Sequence, residues 1–350
     1  MRGVVFAGDR VLEFVEFPDP TPGPGEVVLE MKASGICGSD LHFYRAPKGG
    51  GSTGLPGAAT AGPIIRGHEP CGVVAAIGPG VSANEAKVGM RAMVHHYWGC
   101  TVCEHCRAGW SQMCDRQRPE IYGINAHGAH AKYMKVPART LVPLREELSF
   151  EAGAAIACGS GTSYAALRRL DVYGGSTIAV FGQGPVGLAG TQFAVAMGAR
   201  VIALDISPER LAQAKELGAD VTINPAKDEP VAALKALTGG KGTDFALECS
   251  GAPDARVAAV RGVKLWGHVC FVGVGGTVTL DVGGDLMMRQ VTVFGSWTFS
   301  IIGQADCADF SVKNKVAVDR VFTHRWKFDD AVEAYRLTDK QIGGKGVILM

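Results

Sequence analysis

The 350-residue chain has almost no net charge, because its 35 lysine and arginine residues are balanced by 34 aspartate and glutamate residues. No overall field therefore attracts nucleic acid or an anionic membrane. Only six uncharged residues separate Arg2 from Asp9, too short an apolar run for an export signal. With 47% hydrophobic and 20% charged residues, the chain is not disordered. We expect a globular cytoplasmic protein with a small, weakly charged partner, and no nucleic acid or membrane.

The longest stretch without a charged residue, 172–199, is long enough to suggest a membrane span. It contains seven glycines and Pro185. Glycine and proline in that number do not suit a transmembrane helix. The stretch is therefore interpreted as part of a globular domain.

The amino-terminal part of the chain has the pattern of a β-rich, barrel-like domain. Short apolar-polar alternations at 26–31 and 73–77 are separated by glycine and proline residues. The glycine-rich segment 49–62 has too little apolar content to pack, so we expect a surface loop, either merely solvated or close to a site. The chain length favours two domains.

From about residue 176 the pattern changes to alternating strands and helices. The apolar run 177–181 predicts a buried strand, followed by a helix over 185–197 and a second strand over 200–204. This alternation is typical of a doubly wound parallel sheet. Further strands are expected near 221–223, 245–247 and 269–272. After about residue 294 the pattern is mixed, which indicates a return to the first domain.

Four cysteines lie within fifteen positions, at Cys100, Cys103, Cys106 and Cys114. Thiolates at this spacing can surround one ion tetrahedrally, as a closed structural Zn²⁺ site requires. An iron–sulfur cluster also uses four cysteines, although with other spacings, and free or paired thiols are a further alternative. Ten cysteines in a chain without an export signal argue against a disulfide framework. The segment thus predicts a structural zinc.

A glycine-rich turn follows the predicted strand at 177–181. Gly182 allows a tight turn, Gly184 lets the backbone approach a pyrophosphate, and Gly187 lets helix and strand pack closely. The next strand ends at Asp205, whose carboxylate can bind ribose hydroxyls and would repel a 2′-phosphate. The pattern predicts dinucleotide binding and favours NAD over NADP.

Three more residues stand in separate segments, with Gly-Ile-Cys-Gly-Ser-Asp-Leu-His around Cys37, Gly-His-Glu around His68 and Ala-Cys-Gly around Cys158. Singly, such cysteines are often buried small hydrophobic residues, and such a histidine a core residue. Together with the four-cysteine segment, the glycine-rich turn and Asp205, they resemble the zinc-containing medium-chain alcohol and polyol dehydrogenases. The resemblance covers nearly the whole chain in one order.

The resemblance implies a fold of the α/β class with a β-rich domain. A GroES-like β-barrel catalytic domain would comprise 1–157 and 294–350, and a doubly wound Rossmann domain would comprise 158–293. It also implies two zinc ions per chain and NAD as cofactor. Family members of this length are commonly tetramers and some are dimers, which suggests a homo-oligomer, most simply a homotetramer.

The same resemblance implies the site residues. Cys37, His68 and Cys158 match the catalytic zinc ligands, and Asp40 and Glu69 match residues that support or replace them. Ser39 and His42 match the proton relay. The implied cofactor-binding residues are Gly182, Gly184, Pro185, Val186, Gly187, Asp205, Arg210 and Val272.

This ligand set implies alcohol oxidation. Three protein ligands leave a fourth zinc position for water or a substrate oxygen, and zinc lowers the pKa of a bound alcohol. Hydride would pass to the nicotinamide while Ser39 and His42 carry the proton to solvent. The expected substrate is a primary or secondary alcohol, with a polyol included in that range, reversibly converted to the carbonyl compound. A formaldehyde- or aldehyde-directed dehydrogenase on the same scaffold is the alternative, and a non-catalytic zinc and nucleotide-binding protein a more distant one.

Some positions depart from other family members. Gly38 stands where some relatives have a basic residue on the pyrophosphate, and Cys158 stands where the polyol branch has glutamate. Cys158 thus favours an alcohol-dehydrogenase-like site, although Glu69 could compete for the metal. His96 occupies a position that faces the substrate in relatives, with Trp98 nearby, which suggests either a polar, aromatic pocket or surface side chains.

Overall fold

A computed structural model describes residues 1–48, 62–340 and 344–350. Of the glycine-rich segment 49–62, only Gly62 belongs to these ranges, so the predicted surface loop lies outside the described residues. Within those ranges, no helix combines the length and the apolar character needed to cross a membrane.

The chain divides into two compact units. Unit 1 comprises Met1–Cys158 and Phe299–Met350, and unit 2 comprises Gly159–Thr298. The domain bounds expected from the sequence instead assign Cys158 to the Rossmann domain and residues 294–298 to the catalytic domain. The expected limits of independently folding domains therefore remain a prediction, with 1–157 and 294–350 in one domain and 158–293 in the other.

The first part of unit 1 is rich in strands. Its strands are β1 (Arg2–Gly8), β2 (Val11–Glu16), β3 (Glu26–Gly35), β4 (Pro70–Ile77), β5 (Arg91–Val94), β6 (Tyr97–Trp98), β7 (Glu120–Ile121), β8 (Tyr133–Pro137) and β9 (Leu141–Pro143). Its helices are α1 (Asp40–Arg45), α2 (Glu104–Arg107) and α3 (Phe150–Ile156), with 3₁₀ turns at Ser111–Met113 and Ala138–Thr140.

Unit 2 alternates helices and strands. Its helices are α4 (Gly159–Leu170), α5 (Pro185–Ala196), α6 (Pro208–Glu216), α7 (Pro230–Ala236) and α8 (Pro253–Gly262), with a π-helical turn at Val282–Met287. Its strands are β10 (Thr177–Phe181), β11 (Arg200–Leu204), β12 (Val221–Ile223), β13 (Thr243–Glu248), β14 (Val263–Phe271) and β15 (Thr292–Gly295).

The strands of unit 2 form one parallel sheet in the order β12-β11-β10-β13-β14-β15. This is the strand order of a doubly wound dinucleotide-binding fold, in which the order reverses between the first and fourth strands. The predicted Rossmann sheet is therefore confirmed. Phe181 pairs with both Leu204 and Glu248, so the carboxyl ends of β10, β11 and β13 lie at one edge.

The local predictions for unit 2 are accurate for β10, β11 and β12, whose bounds coincide with the predicted runs. The strand expected at 269–272 instead starts at Val263 and ends at Phe271. Its first half contains the exposed side chains of Leu265 and Trp266. Lys264 and Gly267 interrupt the apolar residues of that first half, so the sequence shows a continuous apolar run only in the second half.

The chain then completes unit 1. The carboxyl-terminal elements are α9 (Ile301–Lys313), β16 (Phe322–Lys327), α10 (Ala331–Asp339) and β17 (Lys345–Leu349), with 3₁₀ turns at Val318–Val321 and Phe328–Asp330. They extend the main sheet of unit 1, whose strand order is β16-β17-β3-β4-β5-β9, with β8 also paired to β3.

Pairing in unit 1 brings distant parts of the chain together. β17 runs antiparallel to β3, with Val347 opposite Gly35. α10 packs its apolar face into a core that includes Phe6, Tyr44 and Tyr335. The last residues of the chain therefore lie beside the end of β3, where the candidate site begins.

Candidate functional site

The first candidate site lies where β3 ends and β4 begins. These strands pair antiparallel, with Ser34 opposite Pro70, so the residues just after β3 lie next to those just before β4. This pairing brings Cys37 beside His68. Cys158 follows α3, a helix that packs on both strands. Three segments that are far apart in the sequence thus meet within unit 1.

The ligand atoms of Cys37, His68, Glu69 and Cys158 lie within 4.8 Å of one another. The Sγ atoms of Cys37 and Cys158 are 3.9 Å apart. Two thiolates on a tetrahedral zinc, each about 2.3 Å from the ion, would be about 3.8 Å apart. The described geometry and the donor set of two thiols and an imidazole therefore fit a zinc ion.

Asp40 orients the imidazole of His68. Its Oδ1 is 2.9 Å from His68 Nδ1, and its Oδ2 accepts a hydrogen bond from the Cys37 backbone N–H at 2.9 Å. Burial alone would lower the pKa of His68, but the negative charge of Asp40 raises it well above its usual value. Asp40 thus holds Nδ1 as a donor, and a metal ion bound at this cluster would take the place of the proton on Nε2.

The two thiols of this cluster differ in acidity. A hydrogen bond from Cys158 holds the pKa of Cys37 well below its usual value. The same interaction, together with burial, raises the pKa of Cys158. The close approach of the two sulfurs thus favours one thiolate in the pair, the form that binds metal.

Glu69 is completely buried beside this cluster. Its Oε1 is 2.6 Å from the ammonium of Lys345, and within the described part of the chain its Oε2 has no hydrogen-bond partner. Burial raises the pKa of Glu69 to about 7. One carboxylate oxygen of Glu69 belongs to the set of possible metal ligands, which fits an exchangeable ligand.

Ser39 and His42 lie at the start of α1. Ser39 is half-buried, and its Oγ is 3.2 Å from His68 Nε2. His42 is exposed, and its backbone N–H donates to the Ser39 carbonyl. Ser39 therefore lies at the cluster and His42 at the surface, and the bond between the two joins their backbones.

The histidine pair before the four-cysteine segment is buried, which decides between the two interpretations of His96. The His96 ring centroid is 5.3 Å from that of His68, and its Nδ1 is 3.0 Å from the Ala157 carbonyl. His95 instead approaches the Phe299 carbonyl at 3.2 Å. Trp98 lines a separate surface cleft of about 650 Å³. The structure thus places His96, and not Trp98, beside His68.

The four-cysteine segment forms a second cluster of ligand atoms. The sulfurs of Cys100, Cys103, Cys106 and Cys114 all lie within 4.8 Å of one another. Backbone N–H groups donate to three of the sulfurs, as from Cys103 to Cys100 Sγ at 3.3 Å. Burial opposes ionisation of Cys114, yet such bonds lower its pKa to about 6. Four thiols held in this way fit a closed zinc site.

The glycine-rich turn in unit 2 joins β10 to α5. Gly182 has a φ of +82°, and a Cβ on Gly187 would lie 1.8 Å from the Gly182 carbonyl oxygen. A Cβ on Gly184 would meet nothing within 4 Å, so the backbone is open there. Pro185 and Val186 begin α5 at this edge of the sheet. An open backbone at a helix start fits a pyrophosphate.

Asp205 lies directly after β11 and is largely buried. Its carboxylate accepts hydrogen bonds from the backbone N–H groups of Gln183, at 2.6 Å, and Ser207, at 2.8 Å. Arg210 Nη1 is 3.9 Å away. The carboxylate is thus fixed against the glycine-rich turn, with Arg210 alongside.

Val272 follows β14, and its N–H donates to the Glu248 carbonyl at 2.8 Å. The Glu248 side chain was not predicted as part of the site. It accepts from the N–H groups of Ser250 and Gly251, while Arg256 donates to the Gly273 carbonyl. These bonds fix the two loops at the carboxyl ends of β13 and β14.

Sequence reasoning also missed Lys345, Tyr335 and His130, all buried in unit 1. The one signal for Lys345 is a lysine that opens an otherwise apolar strand. Tyr335 and His130 have the local sequence of ordinary core residues. Their contacts with the site depend on tertiary structure alone.

Two segments of the chain match known protein families. Residues 23–146 match the family described as alcohol dehydrogenase GroES-like domain, and residues 185–312 match the one described as zinc-binding dehydrogenase. The chain is 36% identical to the zinc-type alcohol dehydrogenase-like protein YphC of Escherichia coli strain K12, over 99% of this chain and 98% of that protein.

Two further proteins show the same similarity. The chain is 33% identical to L-threonine 3-dehydrogenase of Pyrococcus horikoshii, over 97% of this chain and 95% of that protein. The solved structure of alcohol dehydrogenase TADH from Thermus sp. ATN1 matches with a TM-score of 0.89 and 27% identity, over 100% of this chain and 99% of that one. The expected GroES-like and Rossmann architecture is confirmed.

The chain belongs to the zinc-containing medium-chain alcohol dehydrogenases. It is an enzyme of the zinc-type alcohol and polyol dehydrogenase class, and its cofactors are zinc and a nicotinamide nucleotide.

Proposed function

We propose that this enzyme oxidises a primary or secondary alcohol to the carbonyl compound with NAD, reversibly, at the cluster of Cys37, His68 and Cys158. The observation that carries the proposal is the 3.9 Å separation of the two sulfurs beside an imidazole whose other nitrogen is held by a carboxylate. That set supplies three ligands and leaves room for a substrate oxygen.

Each residue of the cluster has a part in this reaction. When bound, zinc supplies a Lewis acid that lowers the pKa of an alcohol hydroxyl. Cys37, His68 and Cys158 would hold it, and Asp40 keeps His68 in the tautomer that binds metal. Glu69 would enter when a ligand position is vacated, since one of its carboxylate oxygens lies among the ligand atoms.

The proton of the alcohol would leave through Ser39 and His42. Ser39 Oγ lies within hydrogen-bond reach of His68 Nε2, at the edge of the ligand cluster. His42 is exposed, so its imidazole can exchange a proton with solvent. The hydride leaves the carbon that bears this hydroxyl for the nicotinamide, so one alcohol and one oxidised cofactor yield one carbonyl compound, one reduced cofactor and one proton.

Asp205 supports NAD as the nucleotide. Its carboxylate is fixed by two backbone N–H groups at the edge of the sheet that carries the glycine-rich turn. A negative charge held there favours ribose hydroxyls and repels a 2′-phosphate. Gly182, Gly184, Pro185, Val186 and Gly187 would bind the pyrophosphate, with Arg210 and Val272 alongside.

His96 indicates a substrate with a second polar group. Its Nδ1 faces the Ala157 carbonyl and must donate to it, which leaves Nε2 as a hydrogen-bond acceptor. A hydroxyl or an amine next to the reacting carbon would suit that acceptor. The relative named L-threonine 3-dehydrogenase is consistent with such a substrate.

A second, structural zinc would be held by Cys100, Cys103, Cys106 and Cys114, which gives two zinc ions per chain. All four sulfurs come from one short segment, so the ion would fix that segment and leave no position for a substrate.

We also propose a homotetramer, with a dimer as the alternative. Unit 2 exposes the side chains of Leu265, Trp266, Met287 and Met288, each by more than 60%. Exposed apolar side chains of this size favour burial against another protein surface. The cytoplasm suits an enzyme in which none of the ten cysteines forms a disulfide.

The test combines metal analysis with turnover. We expect two zinc ions in the parent, one in Cys37→Ala, and two in the control Cys71→Ala, which removes a buried thiol outside both clusters. Formation of reduced nicotinamide should be seen with NAD and a panel of alcohols, fastest with those that carry a neighbouring hydroxyl or amine. Undiminished zinc content and turnover in Cys37→Ala would refute the proposal.

A further inference from the structure

The carboxylate that orients His68 is itself held by the carboxyl-terminal helix. The Tyr335 hydroxyl, from α10, donates to Asp40 Oδ2 at 3.3 Å, and His130 Nε2 lies 2.8 Å from the Tyr335 oxygen. Asp40, Tyr335 and His130 are each no more than 1% exposed. A continuous buried row of hydrogen bonds therefore runs from His130 through Tyr335 and Asp40 to His68.

The direction of each bond follows from the available protons. Burial lowers the pKa of His130 to about 4, so its ring is neutral near pH 7 and carries one N–H. The Tyr335 hydroxyl uses its only proton in the hydrogen bond that it donates to Asp40, so its oxygen must accept from His130 Nε2–H. All the donors in the row therefore point towards the Asp40 carboxylate, an arrangement in which each bond polarises the next.

The His130 ring packs closely against the residue that precedes the zinc ligand. A Cβ on Gly67 would lie 2.4 Å from His130 Nδ1, so a larger residue there would displace the ring. The backbone of His130 is also held, because its N–H donates to the Arg66 carbonyl and its carbonyl accepts from Val4. The row thus has a rigid end.

We infer that Tyr335 and His130 are positioning residues for the zinc ligand His68. They hold the Asp40 carboxylate through Oδ2, so that Oδ1 faces His68 Nδ1 and the imidazole presents Nε2 to the metal. The inference rests on the proposed zinc site at Cys37, His68 and Cys158. Mutation of residues that hold a metal ligand in place, without binding the metal themselves, commonly changes metal affinity by about 10- to 100-fold.

The test compares two single-atom deletions. Tyr335→Phe removes the hydroxyl and keeps the ring packed against Phe6 at 4.9 Å. The control Tyr44→Phe removes the same atom from the ring that packs beside Tyr335 at 5.6 Å, and leaves every donor to Asp40 in place. A packing effect should appear in both variants, and a loss of ligand orientation only in the first.

The measurement is zinc transfer from the holoenzyme to a chromophoric chelator, followed over time. The phase that is missing in Cys37→Ala belongs to the catalytic cluster, and the phase missing in Cys103→Ser to the four-cysteine segment. We expect the first phase to be about tenfold faster in Tyr335→Phe than in the parent or Tyr44→Phe. The second phase should be the same in all three.

Equal first-phase rates in Tyr335→Phe and Tyr44→Phe would overturn the inference and leave the proposed function intact. A parent that releases zinc only in the four-cysteine phase would overturn the proposed function and, with it, the inference. Should Tyr335→Phe fail to fold, His130→Leu takes its place, with His130→Gln as the variant that keeps an N–H donor. Faster release from His130→Leu alone supports the inference, and equal release from both overturns it.

Discussion

The ion pair between Lys345 and Glu69 should be among the contacts of unit 1 whose loss lowers the stability of the fold most. Lys345 Nζ is 2.6 Å from Glu69 Oε1 and 3.2 Å from the Ile36 carbonyl, and neither side chain is more than 2% exposed. Lys345→Met keeps most of the side-chain volume but leaves the carboxylate of Glu69 buried without its counter-charge.

Removing one partner of a buried ion pair typically costs about 3–5 kcal/mol, because the remaining group must keep its charge in an environment of low polarity or take up a proton there. In a domain of 150–250 residues, each kcal/mol lowers the melting temperature by about 2–4 °C. We therefore expect Lys345→Met to melt about 6–20 °C below the parent. The double variant Lys345→Met, Glu69→Gln carries no buried charge at this place and should recover part of that loss.

The assay is thermal unfolding of the zinc-loaded parent, both single variants and the double variant. Arg336→Met serves as the control, because it breaks an ion pair with Glu333 whose side chains are both nearly half exposed. That control should melt close to the parent. The reasoning is wrong if Lys345→Met melts like Arg336→Met, or if the effects of the two single substitutions simply add in the double variant.

Four other outcomes are expected. Cys103→Ser should lower the zinc content from two to one and melt well below the parent by calorimetry, since structural zinc sites bind with about 10–16 kcal/mol; an unchanged melting curve with two zinc ions would contradict the assignment. Asp205→Ser should reduce the NAD:NADP ratio of kcat/KM by about 10- to 100-fold, because a hydrogen-bonded charge is worth about 1.5–3 kcal/mol; the same ratio in both proteins would argue against it. Ser39→Ala should slow single-turnover alcohol oxidation by about 100-fold or more. Added imidazole should restore the oxidation rate of His42→Gln but not that of Ser39→Ala. Restoration of both rates, or of neither, would exclude the relay. Burial lowers the pKa of His95 to about 4, so below about pH 6.5 the unfolded chain binds a proton that the folded state does not, and the free energy of unfolding should fall as the pH drops from 6.5 to 4. In His95→Gln, the slope of the free energy of unfolding against pH, measured by urea unfolding, should be smaller by up to about 1.4 kcal/mol per pH unit. The same slope in the parent and the variant would refute the assignment.

The sequence determined the features that depend on neighbouring residues. The buried runs of β10 and β11, the turn at Gly182 and the spacing from Cys100 to Cys114 are local patterns, since a strand, a turn or a chelating loop is built from consecutive residues. The start of β14 was missed for the same reason, because Lys264 and Gly267 interrupt the apolar residues of its first half.

Only the tertiary structure decided which side chains surround the metal ligands. His96 lies beside His68 while Trp98 faces a surface cleft, although the two residues are close in the sequence. Lys345 reaches Glu69, and Tyr335 reaches Asp40, because β17 and α10 return to the end of β3. Such contacts join residues nearly 300 positions apart. Burial of a charge or hydroxyl is compensated by whichever group the fold brings within reach, and the sequence around either partner does not contain that information.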